Sequence, residues 1–231
     1  HVSLVGSEMC IRDSYNTSPI KHAYNLQILN EQVIAAHCNV VEDGDLDLLA
    51  ESGAFPIFCP TTHGIGGKPM NTNYLSKLNV DWGIGTDCSG GNDDYDMFEE
   101  MRTALVLNNS VAKYNFIKPK DIFRKASEEN ISRISGGIFS GTLSKNQKAD
   151  FITISTNTPR MQPLHDVINN IVMCASSKEV KDVYIDGECI VKDSKFQNID
   201  EEIILEEGTN AINNLFTKTG FDKKIFDGDF S

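Results

Sequence analysis

Short apolar runs alternate with amphipathic stretches along the first half of the chain. The runs VIAAH (33–37), AFPIFC (54–59) and VDWGIGT (80–86) recur at intervals of about 21 to 27 residues. Each run precedes a stretch with helical spacing: DLDLLAES (45–52), which Gly53 closes, NTNYLSKL (71–78) and DYDMFEEMRTALVLNN (94–109), which has an acidic first turn. PTTHGIGGKPMN (60–71) is expected to be a glycine-rich loop, and SPIKHAYNLQILN (18–30) a helix whose start is capped by Ser and Pro. Strand and helix that alternate at this pitch predict an α/β fold with a parallel sheet wrapped by helices.

The pattern changes after Pro119. DIFRKASEENISRIS is typical of a helix, and GTLSKNQKADFITIS and EVKDVYIDGECIVKDSKF are typical of strands. Asp186-Gly187 lies between two apolar runs and predicts a two-residue hairpin turn. We therefore expect an α/β region over 15–138, a small β domain over 139–199, and an amphipathic helix with a tail over 200–231.

The beginning of the chain has a different character. Residues 4–14, LVGSEMCIRDS, resemble one reading frame of a transposon adapter that is used in sequencing libraries. The segment has no basic start and no apolar core, so it is neither a signal peptide nor a convincing helix. We expect residues 1–14 to be a non-native tail and the natural protein to begin upstream with a different sequence.

Composition narrows the classes of partner. The formal net charge of −12 opposes binding to nucleic-acid polymers, and no Lys/Arg stripe counters it. No window approaches eighteen consecutive apolar residues, so no membrane span is expected. Six scattered cysteines without a CxxC pair predict thiols in a reducing cytoplasm. A small-molecule partner and a possible homo-oligomer of the intact protein are the remaining expectations.

Polar side chains stand where the three apolar runs end. The exits carry His37, then Cys59 to His63, then Asp87. The carboxyl ends of parallel strands meet at one edge of a sheet, so we expect these groups to share a pocket. Asp87 lies about nine residues before its predicted helix, too far to cap it. A His and an Asp facing one cavity predict either an acid/base pair or part of a metal site. No His-x-His or His-Glu-x-x-His occurs, so spacing alone does not decide between them.

Two segments resemble a known family. VIAAHCNVVEDGDLDLLAESGAFPIFCPTTH and VDWGIGTDCSGGNDDYDMFEEMRTAL are similar to the second half of an amidohydrolase-superfamily barrel, in the branch of cytosine, guanine and S-adenosylhomocysteine deaminases and triazine hydrolases. The resemblance extends over about residues 18–216. It implies the C-terminal portion of a (β/α)8 TIM-type barrel, with strands six to eight over 15–138, followed by a small β unit that forms part of a composite β-sandwich.

The same resemblance implies a site and a reaction. Asp87 would be a metal ligand and a catalytic residue, and His37 would be the second catalytic residue. The reaction implied is metal-assisted hydrolysis of a non-peptide C–N bond with one zinc or iron ion, as in deamination of a purine- or pyrimidine-like heterocyclic amine. A triazine-type or cyclic-amide hydrolase is the alternative within the family.

The chain departs from the family pattern at two positions. His63 stands where Ser-Asn is common, and we expect it either to bind substrate or to lie solvated in a loop. Cys88 replaces a common Gly after Asp87, and we expect a small buried thiol there.

The family's remaining metal ligands would precede Ser18, in a part of the barrel that this sequence does not show. The expected site is therefore partial, with one carboxylate and one imidazole. Such a pair should bind a divalent ion weakly and give no turnover, while the intact gene product would be an enzyme. A different class of function, a non-catalytic barrel whose GIGGK segment (64–68) cradles an anion, is disfavoured because Pro69 and polar residues precede the next helix.

Overall fold

A parallel sheet forms the centre of the α/β region. The computed structural model describes residues 11–112 and 116–220. The sheet contains β1 (Ile34–Ala36), β2 (Phe55–Phe58) and β3 (Gly83–Ile84), in the order β1-β2-β3. Both pairings are parallel, with Ile34 opposite Phe55 and Ile57 opposite Gly83. The predicted alternation of strands and helices is confirmed, although each strand is shorter than its apolar run.

Helices follow the strands and pack around this sheet. Their bounds are α1 (Pro19–Asn25), α2 (Asp45–Ser52), α3 (Pro60–Ile65), α4 (Thr72–Lys77), α5 (Ser89–Asn92), α6 (Met97–Val111), α7 (Pro119–Arg124) and α8 (Asn130–Ile134), with a π-helical turn at Lys125–Glu129 between the last two. Helix α3 corrects the sequence prediction, which made residues 60–65 part of a glycine-rich loop. Pro60 at the first helical position starts this helix, since the fixed φ of proline suits that position.

Local signals set several helix ends. The Ser18 side chain accepts a hydrogen bond from the backbone N–H of Lys21 at the start of α1, as predicted. Helix α2 ends at Gly53, whose φ of 72° is the left-handed conformation that favours glycine. Asp96 caps α6 by accepting from the N–H of Phe98. Each of these three helix ends depends on residues only a few positions away in sequence.

A four-stranded antiparallel sheet follows. It contains β4 (Phe151–Ile154), β5 (Val180–Ile185), β6 (Glu188–Lys192) and β7 (Lys195–Phe196), in that order. Asp186 and Gly187 have φ of 52° and 82°, which confirms the predicted hairpin turn between β5 and β6. The strand predicted within GTLSKNQKADFITIS is shorter than expected. Only Phe151–Ile154, near the end of that segment, form β4.

The predicted small β domain also contains a helix. Helix α9 (Val167–Cys174) lies within 139–199 and packs on α6 and α7 of the α/β region. Arg102 of α6 donates to the carbonyl oxygens of Met173 and Ala175 at the end of α9, at 2.9 and 2.6 Å. This part of the chain therefore adds a helix to the α/β region between β4 and β5, which the sequence interpretation missed.

The main core lies between the parallel sheet and its helices. Its fully buried large side chains include Phe58, Trp82, Leu49, Leu75 and Ile122. Helix α10 (Glu201–Thr219) differs, because none of its residues is buried. The predicted amphipathic helix is thus present, but its apolar side chains are exposed.

The first described residues are helical. Residues 11–15 form helix, contrary to the prediction, and Arg12 pairs with Glu42. Residues 1–10, the larger part of the predicted tail, lie outside the described residues. Within the described ranges, no helix has the length and apolar character needed to cross a membrane.

A side chain closes one edge of the parallel sheet. Gly85 donates to Phe58 of β2, so the amide and carbonyl of Ile84 face the opposite side. The buried carboxamide of Asn130 bonds both groups, at 3.1 Å from Ile84 N and 2.5 Å from Ile84 O. Asn130 therefore occupies the hydrogen-bonding positions that a further strand beside β3 would use.

Candidate active site

The exit of β1 holds His37 in an unusual backbone conformation. His37 and Cys38 have φ of 76° and 48°, in the left-handed region that is uncommon for residues other than glycine. The N–H of His37 still donates to the carbonyl of Ile57 in β2, at 2.9 Å. Such backbone outliers concentrate at functional sites, where surrounding contacts hold them in place.

His63 lies beside His37. Helix α3 carries it, and only 2% of its surface is exposed. Its Nε2 is 3.1 Å from Nδ1 of His37, and its ring lies 5.3 Å from the Phe58 ring, centroid to centroid. The structure therefore excludes the expectation of a solvated loop histidine, because α3 turns this side chain into the protein.

The environment of His63 keeps its imidazole neutral. Burial and, to a smaller extent, the nearby His37 lower its pKa to about 4, although the negative charge of Asp87 acts in the opposite direction. The Nδ1 atom of His63 is buried and has no hydrogen-bond partner within the described part of the chain. A neutral imidazole with an unpartnered nitrogen can accept a proton, donate one or bind a metal ion.

Cys59 stands at the exit of β2, next to both histidines. Its Sγ and one ring nitrogen each of His37 and His63 lie within 4.8 Å of one another. Burial raises the pKa of the Cys59 thiol to about 12, with further contributions from the charges of Asp87 and Glu100. A hydrogen bond from the Asp87 backbone opposes this shift. The sequence placed Cys59 at one of the three strand exits, but it was given no role in the predicted site.

Asp87 completes the group. Its φ is 63°, and its Oδ1 accepts from the N–H of Cys88 at 2.7 Å. A Cβ added to Gly91 would lie 3.1 Å from Asp87 Oδ2, so the close approach of this loop to the carboxylate favours glycine. The charge of Asp87 acts on both His63 and Cys59. We call His37, Cys59, His63 and Asp87 the mouth cluster.

The neighbours of Asp87 differ in part from the sequence prediction. Cys88 is exposed, so the expectation of a buried thiol is wrong. Helix α6, which corresponds to the predicted helix, starts at Met97, ten residues after Asp87 and close to the predicted nine. The short helix α5, which was not predicted, starts two residues after Asp87. Asp87 is nevertheless not the residue at the cap position of α5, which is Cys88.

A buried carboxylate behind the mouth cluster links two strand exits. Glu100 of α6 has no exposed surface and accepts from the N–H of Thr61 at 3.1 Å and from Asn92 Nδ2 at 2.7 Å. The same Asn92 amide donates to the carbonyl of Thr86. Burial raises the pKa of Glu100, and these hydrogen bonds oppose the shift. From sequence, this residue was only part of the acidic first turn of a helix, and nothing local distinguished it.

Two other features lie apart from the mouth cluster. In GIGGK, the first residues end α3 and Gly66 is its C-terminal cap. The C-terminal end of a helix dipole repels anions, so the position of GIGGK disfavours the alternative function in which this segment binds an anion. A cavity of about 1040 Å³ lies between α4 and α6, lined by residues such as Tyr74 and Val111 rather than by the mouth cluster.

The donor set fits a divalent metal ion. Imidazole, thiolate and carboxylate are all ligands that zinc takes in proteins. A nitrogen of His37, a nitrogen of His63 and the Sγ of Cys59 lie within 4.8 Å of one another, and His37 Nδ1 is 3.1 Å from His63 Nε2. The chemistry of the residues present is thus compatible with a bound cation.

Comparison with known proteins places this arrangement in context. The model of the amidohydrolase family matches residues 10–190. The chain is 28% identical over 212 residues to a 5-methylthioadenosine/S-adenosylhomocysteine deaminase of Dictyoglomus thermophilum, covering 90% of this chain and 49% of the relative. It is 30% identical to a 5′-deoxyadenosine deaminase of Methanopyrus kandleri, covering 89% of this chain and 48% of the relative.

Solved structures share the fold. An adenosine deaminase from Xanthomonas campestris with bound zinc superposes with a TM-score of 0.85 at 23% identity, over 92% of this chain and 49% of that one. The zinc complex of an atrazine chlorohydrolase from Arthrobacter aurescens gives 0.79 at 17% identity, over 91% and 47%. The chain spans about half the length of these relatives. Because the family model matches well over half of it, the chain belongs to the amidohydrolase family.

Proposed function

We propose that the protein to which this chain belongs is a metal-dependent hydrolase of non-peptide C–N bonds that deaminates a purine-like heterocyclic amine. The observation that carries the proposal is the meeting of His37, His63 and Asp87 beyond the ends of three consecutive parallel strands. The printed names of the relatives support a purine ring in the substrate.

The proposed architecture follows from the same relationship. Strands β1 to β3 would be strands six to eight of a (β/α)8 barrel, and β4 to β7 would be part of a composite β-sandwich. The parallel order β1-β2-β3 and the helices between the strands support the first assignment. The intact protein would act on a small molecule and could form a homo-oligomer.

Each residue of the site has a proposed role. A bound divalent ion, zinc or iron, supplies the Lewis acidity that makes water a nucleophile near neutral pH. Asp87 would bind the ion and accept a proton from water, since a carboxylate can do both and its charge already acts on His63 and Cys59. His37 holds or transfers a proton at its ring, which already faces the neutral His63 at 3.1 Å. His63 contacts the substrate or positions His37.

The described residues supply only part of a family site. His37 and Asp87 alone would bind a hard or borderline ion weakly, and we propose that turnover requires the additional length present in the relatives. A triazine-type or cyclic-amide hydrolase remains the second candidate, supported by the shared fold of the atrazine chlorohydrolase.

The test measures ammonia release from 5′-deoxyadenosine, S-adenosylhomocysteine and an amino-triazine, with and without added zinc. The protein is the longest natural reading frame that contains residues 15–220. Asp87→Asn should lower kcat by about 100-fold or more, because it removes both a ligand and a proton acceptor. Asp93→Asn, a change in the same loop outside the mouth cluster, is the control. Turnover by protein freed of divalent metal, or full activity of Asp87→Asn, would refute the proposal.

A further inference from the structure

The mouth cluster contains a sulfur donor that the assigned roles do not use. Cys59 is 3% exposed, and it lies on the same face of β2 as Phe55 and Ile57, with which it forms a separate buried cluster. Its Sγ faces the two imidazoles rather than the core on the other face of the strand. A buried thiol that only filled space would not need two ring nitrogens within 4.8 Å.

The spacing of the imidazoles suits a common metal ion. Metal–nitrogen bonds of about 2.0–2.1 Å that span the observed 3.1 Å enclose an angle of roughly 100°, close to that of a tetrahedral centre. The two nitrogens also cannot both act as donors in a direct hydrogen bond, so the contact exists only in particular tautomers. A cation bound by both nitrogens would need neither of them to donate a hydrogen bond to the other.

We propose that this chain itself binds a borderline-soft divalent cation, of the zinc or cobalt type, through Cys59 Sγ, His37 Nδ1 and His63 Nε2. Thiolate and imidazole together select such ions over magnesium and calcium, which prefer oxygen. Three protein ligands would leave a fourth position of a tetrahedral ion open. In this state His37 Nδ1 and His63 Nε2 are ligands instead of the proton-transfer and substrate groups proposed for the intact enzyme. The weak binding expected from one imidazole and one carboxylate therefore does not describe this donor set.

The backbone conformation of His37 and the burial of the other two donor residues favour metal binding. The left-handed conformations of His37 and Cys38 aim the first imidazole across the β1 exit, and helix α3 holds the second. Burial of Cys59 and His63 excludes competing water from two of the three donors. Binding would release the thiol proton of Cys59 to solvent as the metal–sulfur bond forms, so charge and protons balance.

The test is a titration of the unaltered chain with Co²⁺, followed by absorbance. A thiolate ligand gives a sulfur-to-cobalt charge-transfer band in the near ultraviolet, and tetrahedral geometry gives intense visible bands. Cys59→Ser should abolish the charge-transfer band and weaken Co²⁺ affinity about tenfold or more. Cys88→Ser, at an exposed cysteine next to Asp87, should retain both.

X-ray absorption of the zinc-loaded chain provides a second measurement that does not depend on a variant. It should show one sulfur at about 2.3 Å and two or more nitrogen or oxygen ligands at about 2.0–2.1 Å. A sulfur-free shell, no band in the unaltered chain, or a band that survives Cys59→Ser overturns the proposal. These readouts are independent of ammonia release, so failure of the deaminase assignment and failure of the thiolate site are distinguishable.

Discussion

The packing around Gly83 allows one stability prediction to be worked out in detail. A Cβ at this position would overlap the Oδ1 of Asn130 and would lie 2.8 Å from Ile57 Cδ1 and 2.9 Å from Phe55 Cε1. Gly83→Ala must therefore push the Asn130 carboxamide away from Ile84. The two lost hydrogen bonds, each worth about 1 kcal/mol, and the strain of overpacking predict a loss of about 2–4 kcal/mol of unfolding free energy.

The assay is urea unfolding followed by fluorescence and circular dichroism. Trp82 is the only tryptophan and is fully buried, so its emission reports on this part of the core. Gly208→Ala is the matched control, because a Cβ there meets nothing within 4 Å. Since α10 has no buried residue, this change should move the Trp82 transition by less than about 0.5 kcal/mol.

A double-mutant cycle tests whether the contact with Asn130 causes the predicted destabilisation by Gly83→Ala. Removing the amide with Asn130→Ala is destabilising on its own, because it leaves the polar groups of Ile84 without partners. In that background, however, Gly83→Ala should cost about 1–2 kcal/mol less than in the unaltered chain. Equal costs in both backgrounds would show that the Asn130 contact does not limit residue 83, and the reasoning would fail.

Two further predictions concern buried titratable groups. The pKa of His63 falls from 6.5 to about 4 on folding, so the free energy of unfolding should be highest above pH 6.5 and fall as the pH decreases from 6.5 to 4. The decrease should reach about 3 kcal/mol. It should be absent in His63→Gln when the variant and the unaltered chain are compared by urea unfolding. Glu100→Ala should lower the free energy of unfolding by about 2–4 kcal/mol, because it leaves the buried donors of Thr61 and Asn92 unpaired. Glu99 is exposed, so Glu99→Ala should lower it by less than about 0.5 kcal/mol. Equal losses in the two variants would contradict the proposed hydrogen-bond network.

Features that depend on neighbours in sequence were predictable. The three parallel strands, the turn at Asp186-Gly187 and the N-terminal cap at Ser18 each follow from a few adjacent residues. The convergence of His37 and Asp87 was also predictable, since the topology of parallel strands places their carboxyl ends together. These parts of the fold need no knowledge of long-range packing.

Features that depend on tertiary contacts were not predictable in the same way. Gly64 and Gly66 suggested a loop, yet Pro60 begins a helix that buries His63 against Phe58. The burial of Glu100 requires donors from Asn92 of α5 and Thr61 of α3, which lie 8 and 39 residues away in sequence. Helix α9 was missed because its apolar pattern follows a stretch typical of strands, and its partners on α6 lie about 70 residues earlier.

The carboxamide of Asn130 makes the two flanks of the parallel sheet unequal. At β3 it mimics a peptide group of an absent neighbour, so an incoming strand would have to displace a buried, doubly bonded side chain. In the part of the chain that the structure describes, β1 has a strand partner on one side only, and no comparable amide blocks its outer flank. Unwanted association at the sheet edge should therefore start beside Ile34–Ala36. Closure of the proposed barrel beside β3 would instead have to displace the Asn130 carboxamide from Ile84.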